Sequence, residues 1–294
     1  MRKTLIFGLF LMVIFTSGLS AGVFDSRYPS ARATAMSNAN VAFCADVWAP
    51  YYNPAGLANL REIQVASAVQ RLFNQTFLQS TFFGATLPVS SKYGTIAVNF
   101  EFFGVKYNGA TLSRENTFTL SHGFYLMNDI HSSLSFGYNL RYYYWDLGRS
   151  IDDRNLGSAG ALGVDLGFQG TLYHRIYGGV YAYNINAPTM GKYTKHDLPQ
   201  RVVVGAGYRP ISSVMTSVSL DKTIGFDTQV LGGFEFQPVP WLALRVGAGT
   251  QPNRVSAGFG IRFKGFALDY SFQNHPVLPE THKIGLMYMF GKQN

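Results

Sequence analysis

The C-terminal half of the chain alternates apolar residues with small or polar residues, one for one, over several consecutive segments. In one of these segments, Val255 and Phe259 fall on one face, whereas Ser256 and Arg262 fall on the other. Successive side chains of a β-strand point to opposite faces of a sheet, so a period of two residues predicts strands. Short turn sequences separate the segments, which predicts neighbouring antiparallel strands.

Counting the alternating segments gives about fourteen strands, and bacterial single-chain barrels contain an even number. The segments are 63–72, 77–88, 93–103, 116–127, 133–145, 160–172, 176–186, 198–209, 213–222, 227–237, 240–250, 254–264, 266–273 and 281–290. Short turns alternate with longer connections, which are predicted at 104–115, 146–159, 187–197 and 274–280. Outer-membrane barrels have short periplasmic turns and longer outer loops, so this alternation agrees with the strand count.

The composition indicates which face of the strands meets lipid. Charged residues make up 14% of the chain, compared with roughly 25% in average domains. The apolar faces are rich in Phe, Tyr, Leu, Val and Ile, whereas the polar faces consist mainly of Gly, Ser, Thr and Asn. Such faces predict an all-β fold, a transmembrane antiparallel up-and-down β-barrel in the bacterial outer membrane, with lipid around its outer face. No apolar run is long enough for a membrane-spanning helix.

The N-terminus has the layout of a secretory signal peptide. Arg2 and Lys3 precede an apolar run, and small residues follow it, which predicts cleavage after Ala21. We therefore divide the chain into a signal peptide (1–21), an N-terminal segment (22–62), the barrel (63–290) and a short tail (291–294). The N-terminal segment does not alternate and contains helix-compatible stretches. Because it is compact and apolar, we expect it to fold into the barrel lumen as a short helical plug.

Charge and cysteine content exclude several classes of protein. The net charge of +8 is spread along the chain and forms no basic patch, so nucleic acid is not a predicted partner. Cys44 is the single cysteine, so no internal disulfide can form, and we expect a buried thiol. The alternation places a set of charges in the lumen, which we interpret as ion pairs against the plug: Glu101, Arg141, Asp165, Arg201, Asp221, Asp227, Glu235, Arg245, Arg262, Asp269 and Lys283.

Motifs of enzymes and cofactor sites are weak in this sequence. The residues of 18–22 match the nucleophile pattern G-x-S-x-G, but they cross the predicted cleavage site and follow no strand. The six histidines show no i, i+4 pair and no acidic partner at metal-ligand spacing. The glycine pairs lack the third glycine of a dinucleotide site. We therefore predict no enzyme activity, no catalytic residue, no cofactor and no metal site.

The stretch from Ser30 to Leu60 contains Ala-Arg-Ala, Asn-Val-Ala and the motif Asn53-Pro54-Ala55-Gly56-Leu57. In these motifs the chain resembles PorV/PorQ-type outer-membrane proteins, and the asparagine-proline-alanine signature also occurs in the related FadL-type long-chain fatty acid transporters. The resemblance implies a fourteen-stranded barrel whose N-terminal segment forms a hatch in the lumen. It also implies insertion by the barrel-assembly machinery.

Two functions from different classes follow from this resemblance. The first is an accessory of protein secretion or surface display, as in type IX secretion, with secreted proteins or a translocon as partners. This role predicts an occluded lumen and an apolar loop tip at 187–190. This is the interpretation that the PorV/PorQ motifs favour. The alternative is FadL-like transport of small hydrophobic molecules, for which an apolar cavity and a gap in the wall are expected. In that case Val47, Trp48, Tyr51 and Tyr52 would contact the ligand.

Overall fold

Fourteen strands form a closed antiparallel barrel in a computed structural model that describes residues 24, 27–107, 110–150, 154–191 and 194–291. The predicted signal peptide and the last three residues of the tail lie outside these residues. The barrel strands are β1 (Gln64–Arg71), β2 (Leu78–Ser90), β3 (Gly94–Tyr107), β4 (Ala110–Asn128), β5 (Ser132–Asp146), β6 (Ser158–Leu172), β7 (Ile176–Tyr183), β10 (Arg201–Tyr208), β11 (Val214–Thr223), β12 (Gln229–Val239), β13 (Leu242–Gly249), β14 (Arg254–Phe263), β15 (Phe266–Gln273) and β16 (Thr281–Met289).

Each barrel strand pairs with its neighbours in sequence, and β1 closes the barrel by pairing with β16. At this seam Gln64 is opposite Met289 and Arg71 is opposite His282. The connection between β7 and β10 contains two additional short strands, β8 (Thr189–Met190) and β9 (His196–Asp197), which pair only with each other. The predicted up-and-down barrel of fourteen strands is therefore confirmed.

The outward faces of the strands are apolar and exposed, whereas the inward faces are small, polar and buried. On β10, for example, Val202 and Val204 point outward and are about half exposed, whereas the inward Arg201 is buried. A barrel with an apolar exterior satisfies every backbone group through strand pairing and exposes its side chains to lipid. The protein is accordingly a multi-pass β-barrel of the outer membrane. None of the helices in the described parts of the chain is long and apolar enough to cross a membrane.

The connection predicted at 104–115 is wrong. Strands β3 and β4 continue through this region, where Val105 pairs with Ser113 and Lys106 pairs with Thr111 across a register shift. The hairpin is long because the two strands remain hydrogen-bonded in its outer part, where apolar and polar residues no longer alternate. As a consequence Glu115 belongs to a strand, and its buried side chain faces the lumen.

Strand β7 ends earlier than the sequence predicts, at Tyr183 instead of residue 186. Asn184 has a φ of 53°, a left-handed conformation in which the strand cannot continue. Beyond the end of β7, the side chain of Asn186 forms the hydrogen bonds to β6 that a strand backbone would otherwise form. It accepts a hydrogen bond from the Val164 amide at 2.9 Å and donates one to the Leu162 carbonyl at 2.8 Å.

The N-terminal segment contains three short helical elements. Helix α1 (Ala31–Ala35) begins after Ser30, whose hydroxyl accepts the Ala33 amide. Helix α2 (Ala49–Tyr52) is followed by a 3₁₀ helix (Pro54–Asn59), and Asn53 caps the latter by accepting the Ala55 amide at 3.1 Å. Serine and asparagine are preferred at such caps, and proline fits the first helical position because no amide donor is needed there.

Candidate functional site

The N-terminal segment lies against the inward face of the barrel wall, and glycines make this close approach possible. A Cβ atom added to any of nine inward-facing glycines would collide with atoms of residues 35–58. These glycines lie on nine of the fourteen barrel strands: Gly84, Gly123, Gly137, Gly167, Gly179, Gly205, Gly233, Gly247 and Gly258. Many of them pair across neighbouring strands, such as Gly123 with Gly137 and Gly179 with Gly205. The backbone of the segment therefore packs directly on the backbone of the wall.

The motif residues Asn53 to Leu57 lie on this glycine surface. The Asn53 side chain is fully buried and donates hydrogen bonds to the carbonyls of Val41, at 2.9 Å, and Phe168, at 2.8 Å. Pro54 packs on Gly123 and Gly137, and Gly56 leaves room for the carbonyl of Cys44. One amide thus joins two parts of the segment to β6. The position of the motif gives it a role in seating the segment.

The four residues expected to contact a ligand are all buried in the segment. Val47, Trp48, Tyr51 and Tyr52 belong to one hydrophobic cluster, which also contains Phe82 of the wall. Tyr51 meets Phe82 edge to face with ring centroids 5.9 Å apart, and Tyr52 stacks on Tyr28 at 5.5 Å. Ligand contact by these four side chains stays a prediction, because the described contacts are with the protein itself.

Two arginines of the segment form ion pairs with the wall. Arg27 bonds Glu101 and Glu115, both at 2.7 Å, and its guanidinium lies 4.0 Å from the centre of the Phe103 ring. Arg32 bonds Glu235 with two hydrogen bonds of 2.9 Å. Burial opposes the charge on Arg27, but the two glutamates outweigh this effect and raise its pKa. The first part of the described segment is therefore held to the wall by buried ion pairs at two positions, Arg27 and Arg32.

The wall also contains a buried cluster of its own. Arg141 bonds Asp165 at 2.6 Å, and the Tyr181 hydroxyl donates to the same carboxylate at 2.8 Å. Arg141 also donates to the Pro50 carbonyl at 2.7 Å, which connects this cluster to helix α2. Buried ionic side chains are normally paired and hydrogen-bonded, as these are. Asp227 was expected in the lumen as well, but it is exposed in the loop before β12, because that strand begins only at Gln229.

Two groups of the segment have pKa values that are shifted by burial. Burial and the neighbouring Asp46 raise the pKa of the Cys44 thiol well above its usual range. The thiol donates a weak hydrogen bond to the Asn53 carbonyl, with a distance of 3.3 Å from sulfur to oxygen. Burial also raises the pKa of Asp46, against the opposing effect of Arg32. Cys44 is consequently an unreactive thiol as long as the segment is in place.

Cavities lie on both sides of the N-terminal segment. The outer cavity, of about 350 Å³, is next to the outer ends of the strands; its lining includes Tyr28, Phe73, Phe226 and Lys283. The inner cavity, of about 340 Å³, is next to the periplasmic ends and is lined in part by Trp48. A small cavity of about 20 Å³ is lined by Tyr51, Arg141 and Arg201, among other residues. Tyr28, Thr34 and Ser30 are among the segment residues that line one cavity or the other.

The apolar loop tip expected of the secretion role and the wall gap expected of transport are both absent from the described residues. The loop tip at 187–190 is not an apolar surface, because the β8–β9 pair turns Met190 inward, where it packs with Phe24, Tyr143 and Leu198. The wall has no break between neighbouring barrel strands of the described chain. The outer cavity combines apolar and charged residues and is not purely apolar.

Comparison with known proteins identifies the fold. No protein-family model and no curated protein sequence matches this chain. The P. putida toluene transporter TodX has a TM-score of 0.62 at 10% identity, over 92% of this chain and 100% of its own. The Ralstonia pickettii toluene transporter TbuX has a TM-score of 0.59 at 12% identity, over 91% and 100%. A Pseudomonas aeruginosa FadL homologue has a TM-score of 0.58 at 10% identity, over 90% and 99%.

This similarity establishes the FadL-like barrel fold. It supports the FadL part of the resemblance seen in the sequence, whereas the PorV/PorQ part is not confirmed. Two of these structures, TodX and TbuX, are named as toluene transporters. Within the described residues, no group of three or more His, Cys, Asp or Glu side chains could hold a metal ion.

Sequence reasoning missed the inward glycines and the partners of Arg27. The glycine pairs were considered as a possible dinucleotide motif, although their phase in the alternation places them on the lumen side. Adjacent inward glycines on neighbouring strands are a signal that another backbone approaches closely. Glu115 was missed because it was assigned to a loop. No sequence pattern pairs Arg27 with residues that are 74 and 88 positions away.

Proposed function

We propose that this protein is an outer-membrane channel for small hydrophobic molecules, and that residues 22–62 are its hatch. The observation that carries the proposal is the position of the N-terminal segment between an outer and an inner cavity of a FadL-like barrel. A permanent filling of the lumen would need no cavity on either side. Two cavities of similar volume, separated by one segment, are the arrangement expected of a gated path.

The contacts of the segment indicate how such a hatch would move. The contacts with the inward-facing glycines, the ion pairs and the hydrogen bonds define one closed position. The backbone of the segment packs directly on the backbone of the wall, so a partly shifted segment would lose these contacts. Passage then requires displacement of at least the part between the cavities, near Tyr28 and Thr34. Interfaces of this kind switch between discrete positions and do not deform gradually.

The transport alternative is proposed over the secretion accessory for two reasons. Two of the structural neighbours named above, TodX and TbuX, are named as toluene transporters, and none of the three is named for a secretion role. In addition, the loop tip that was expected to bind a secreted partner is folded inward at Met190. Val47, Trp48, Tyr51 and Tyr52 remain proposed ligand contacts along the displaced hatch.

Uptake by a bacterial host that has no FadL-type channel would test the proposal. We expect the expressed protein to increase the uptake of radiolabelled toluene and palmitate, compared with the same host carrying an empty vector. Uptake of a sugar of similar mass should not change, because a closed hatch excludes polar solutes. Equal entry of sugar and toluene, or no increase for either apolar solute, would show that the proposal is wrong.

Labelling of Cys44 would test the hatch separately. The protein has no other cysteine, and this thiol is fully buried beneath the hatch contacts. We expect a maleimide to label Cys44 slowly in native membranes and several times faster when toluene saturates the protein. The fully unfolded protein, in which the thiol is exposed, is the control for the maximum rate. Labelling that toluene does not accelerate would contradict a moving hatch.

A further inference from the structure

The outer cavity contains two cations that have no carboxylate partner in the described chain. Lys283 is 3% exposed, and its ammonium donates only to the backbone carbonyl of Tyr28 and to the Thr34 hydroxyl. Arg254 donates one hydrogen bond of 2.8 Å to the Gln229 side chain. Both line the cavity. A buried cation without a counter-charge is costly, so an unpaired lysine inside the lumen points to a function.

The other charged residues of the cavity are already neutralised. Arg27 is held by Glu101 and Glu115. Asp221 is 3.6 Å from Arg201. His275 uses its Nδ1 atom to accept the backbone amides of the following residues. The unbalanced charge of the outer cavity is therefore positive and belongs to Lys283 and Arg254.

Polar atoms around these cations lack hydrogen-bond partners within the protein. They are the Gln70 Oε1, Arg254 Nε and Gln273 Nε2 atoms, all from residues that line the same cavity. Gln70 is 7% exposed and lies directly opposite Lys283 on the neighbouring strand. Ser271, whose hydroxyl also lacks a partner, lies opposite Lys283 on the other side. Buried polar atoms are normally satisfied, so this concentration marks a place where a polar group binds.

Part of the cavity lining is apolar, among the polar residues that form the rest. Leu72, Phe73, Phe226 and Pro252 contribute to its lining. Its volume of about 350 Å³ is at the lower end of the range for small-molecule sites, about 300–1,000 Å³. A molecule with one ring or a short branched chain fits this volume, whereas an extended long acyl chain does not.

We propose that the outer cavity is a binding site for a compact organic anion, a carboxylate of about the size of benzoate. The carboxylate lies against Lys283 and Arg254, and the ring lies among Leu72, Phe73 and Phe226. This inference rests on the proposed transport function. It assigns to the outer cavity a charged substrate class, in place of a neutral hydrocarbon. Lys283 also contacts the hatch at Tyr28 and Thr34, so a bound carboxylate competes with a contact that holds the hatch closed.

Binding of radiolabelled benzoate, toluene and palmitate to the purified full-length protein at pH 6 tests this site. We expect benzoate to bind more tightly than either other probe. In Lys283→Met and in Arg254→Gln, benzoate binding should weaken by about tenfold or more, because each change removes a charge-assisted hydrogen bond. Lys106→Met is the matched control: this lysine is exposed at the outer end of β3, and benzoate binding should stay within about twofold.

Different outcomes separate this inference from the proposed function. If toluene enters cells through the protein but benzoate binding is absent, or is unchanged in both variants, the anion site is wrong and transport stands. If benzoate binds with the expected loss in the variants while no apolar solute enters cells, the anion site stands and hydrophobic transport is wrong. Arg254→Gln keeps the test decisive if Lys283→Met does not fold, because Arg254 makes no contact with the hatch among its described bonds.

Discussion

Single glycines on the wall control whether the N-terminal segment can be seated. Gly178 and Gly179 are neighbours on β7, but a Cβ on Gly179 would collide with the Val41 carbonyl, whereas a Cβ on Gly178 meets nothing within 4 Å. Both positions are glycines in the same strand, but Gly179 faces the lumen and Gly178 faces outward. This difference makes a matched pair of substitutions possible.

We predict that Gly179→Ala destabilises the seated segment by roughly 1–3 kcal/mol, the usual cost of an overpacked site. Gly178→Ala should leave it unchanged. The measurement is the rate of Cys44 labelling in native membranes, which should rise in Gly179→Ala only. If the two variants label at the same rate, the position of the segment does not depend on its packing against the inward-facing glycines.

Asn53 is the second residue whose loss should loosen the segment. Its amide caps the 3₁₀ helix and donates to two carbonyls that are otherwise distant in sequence. Asn53→Ala leaves these groups buried without a partner, which costs about 1–3 kcal/mol for each such group. We expect a lower urea midpoint by tryptophan fluorescence, since Trp48 lies in the segment. Asn128→Ala, at an exposed residue at the end of β4, is the control, and an equal midpoint in both variants would refute this role for Asn53.

At the scale of elements, strands were predictable and the contacts of the N-terminal segment were not. Alternation such as that of 254–263 is a local property, so it fixed the number and phase of the strands. The long β3–β4 hairpin and the β8–β9 pair were missed because hydrogen bonding continues where the apolar alternation stops. The seating of the segment depends on residues from strands all around the barrel, and such long-range pairing leaves no local pattern.

The seated segment should respond to pH through Asp46. Burial raises the pKa of this carboxyl above its ordinary value of 3.8, although the nearby Arg32 opposes the shift and Asp269 adds to it. The folded state therefore binds the proton more tightly than the unfolded chain does. The stability that protonated Asp46 contributes is fully present below its ordinary pKa and is lost as the pH rises through the raised pKa of the folded state.

Asp46→Asn should remove this dependence. The amide oxygen can still accept the Trp48 backbone amide, which Asp46 accepts at 2.9 Å, but it does not titrate. Urea midpoints between pH 4 and pH 7 should decline with rising pH in the wild type and decline less in the variant. Parallel declines in the two proteins would mean that another group is responsible.

The apolar exterior holds the whole molecule in the membrane. Arginine substitutions at different depths of the lipid-facing surface test this. Val204 lies at the middle of β10 and Tyr208 lies at its periplasmic end, and both point outward. We expect Val204→Arg to cost about 2–4 kcal/mol and Tyr208→Arg about 0–1 kcal/mol, because the penalty falls toward the interface. Folding into lipid vesicles at increasing urea measures both. Equal costs would contradict the assignment of the lipid-facing band.

The glycine surface also constrains how the molecule is assembled. The barrel closes between its first and last strands, and the segment immediately before β1 touches strands on every side of the lumen. A barrel that closes before the segment is seated leaves it to enter a finished lumen, whereas closure of the β1–β16 seam around the segment encloses it. Seating of the segment and closure of the barrel are thus expected to be one coupled step.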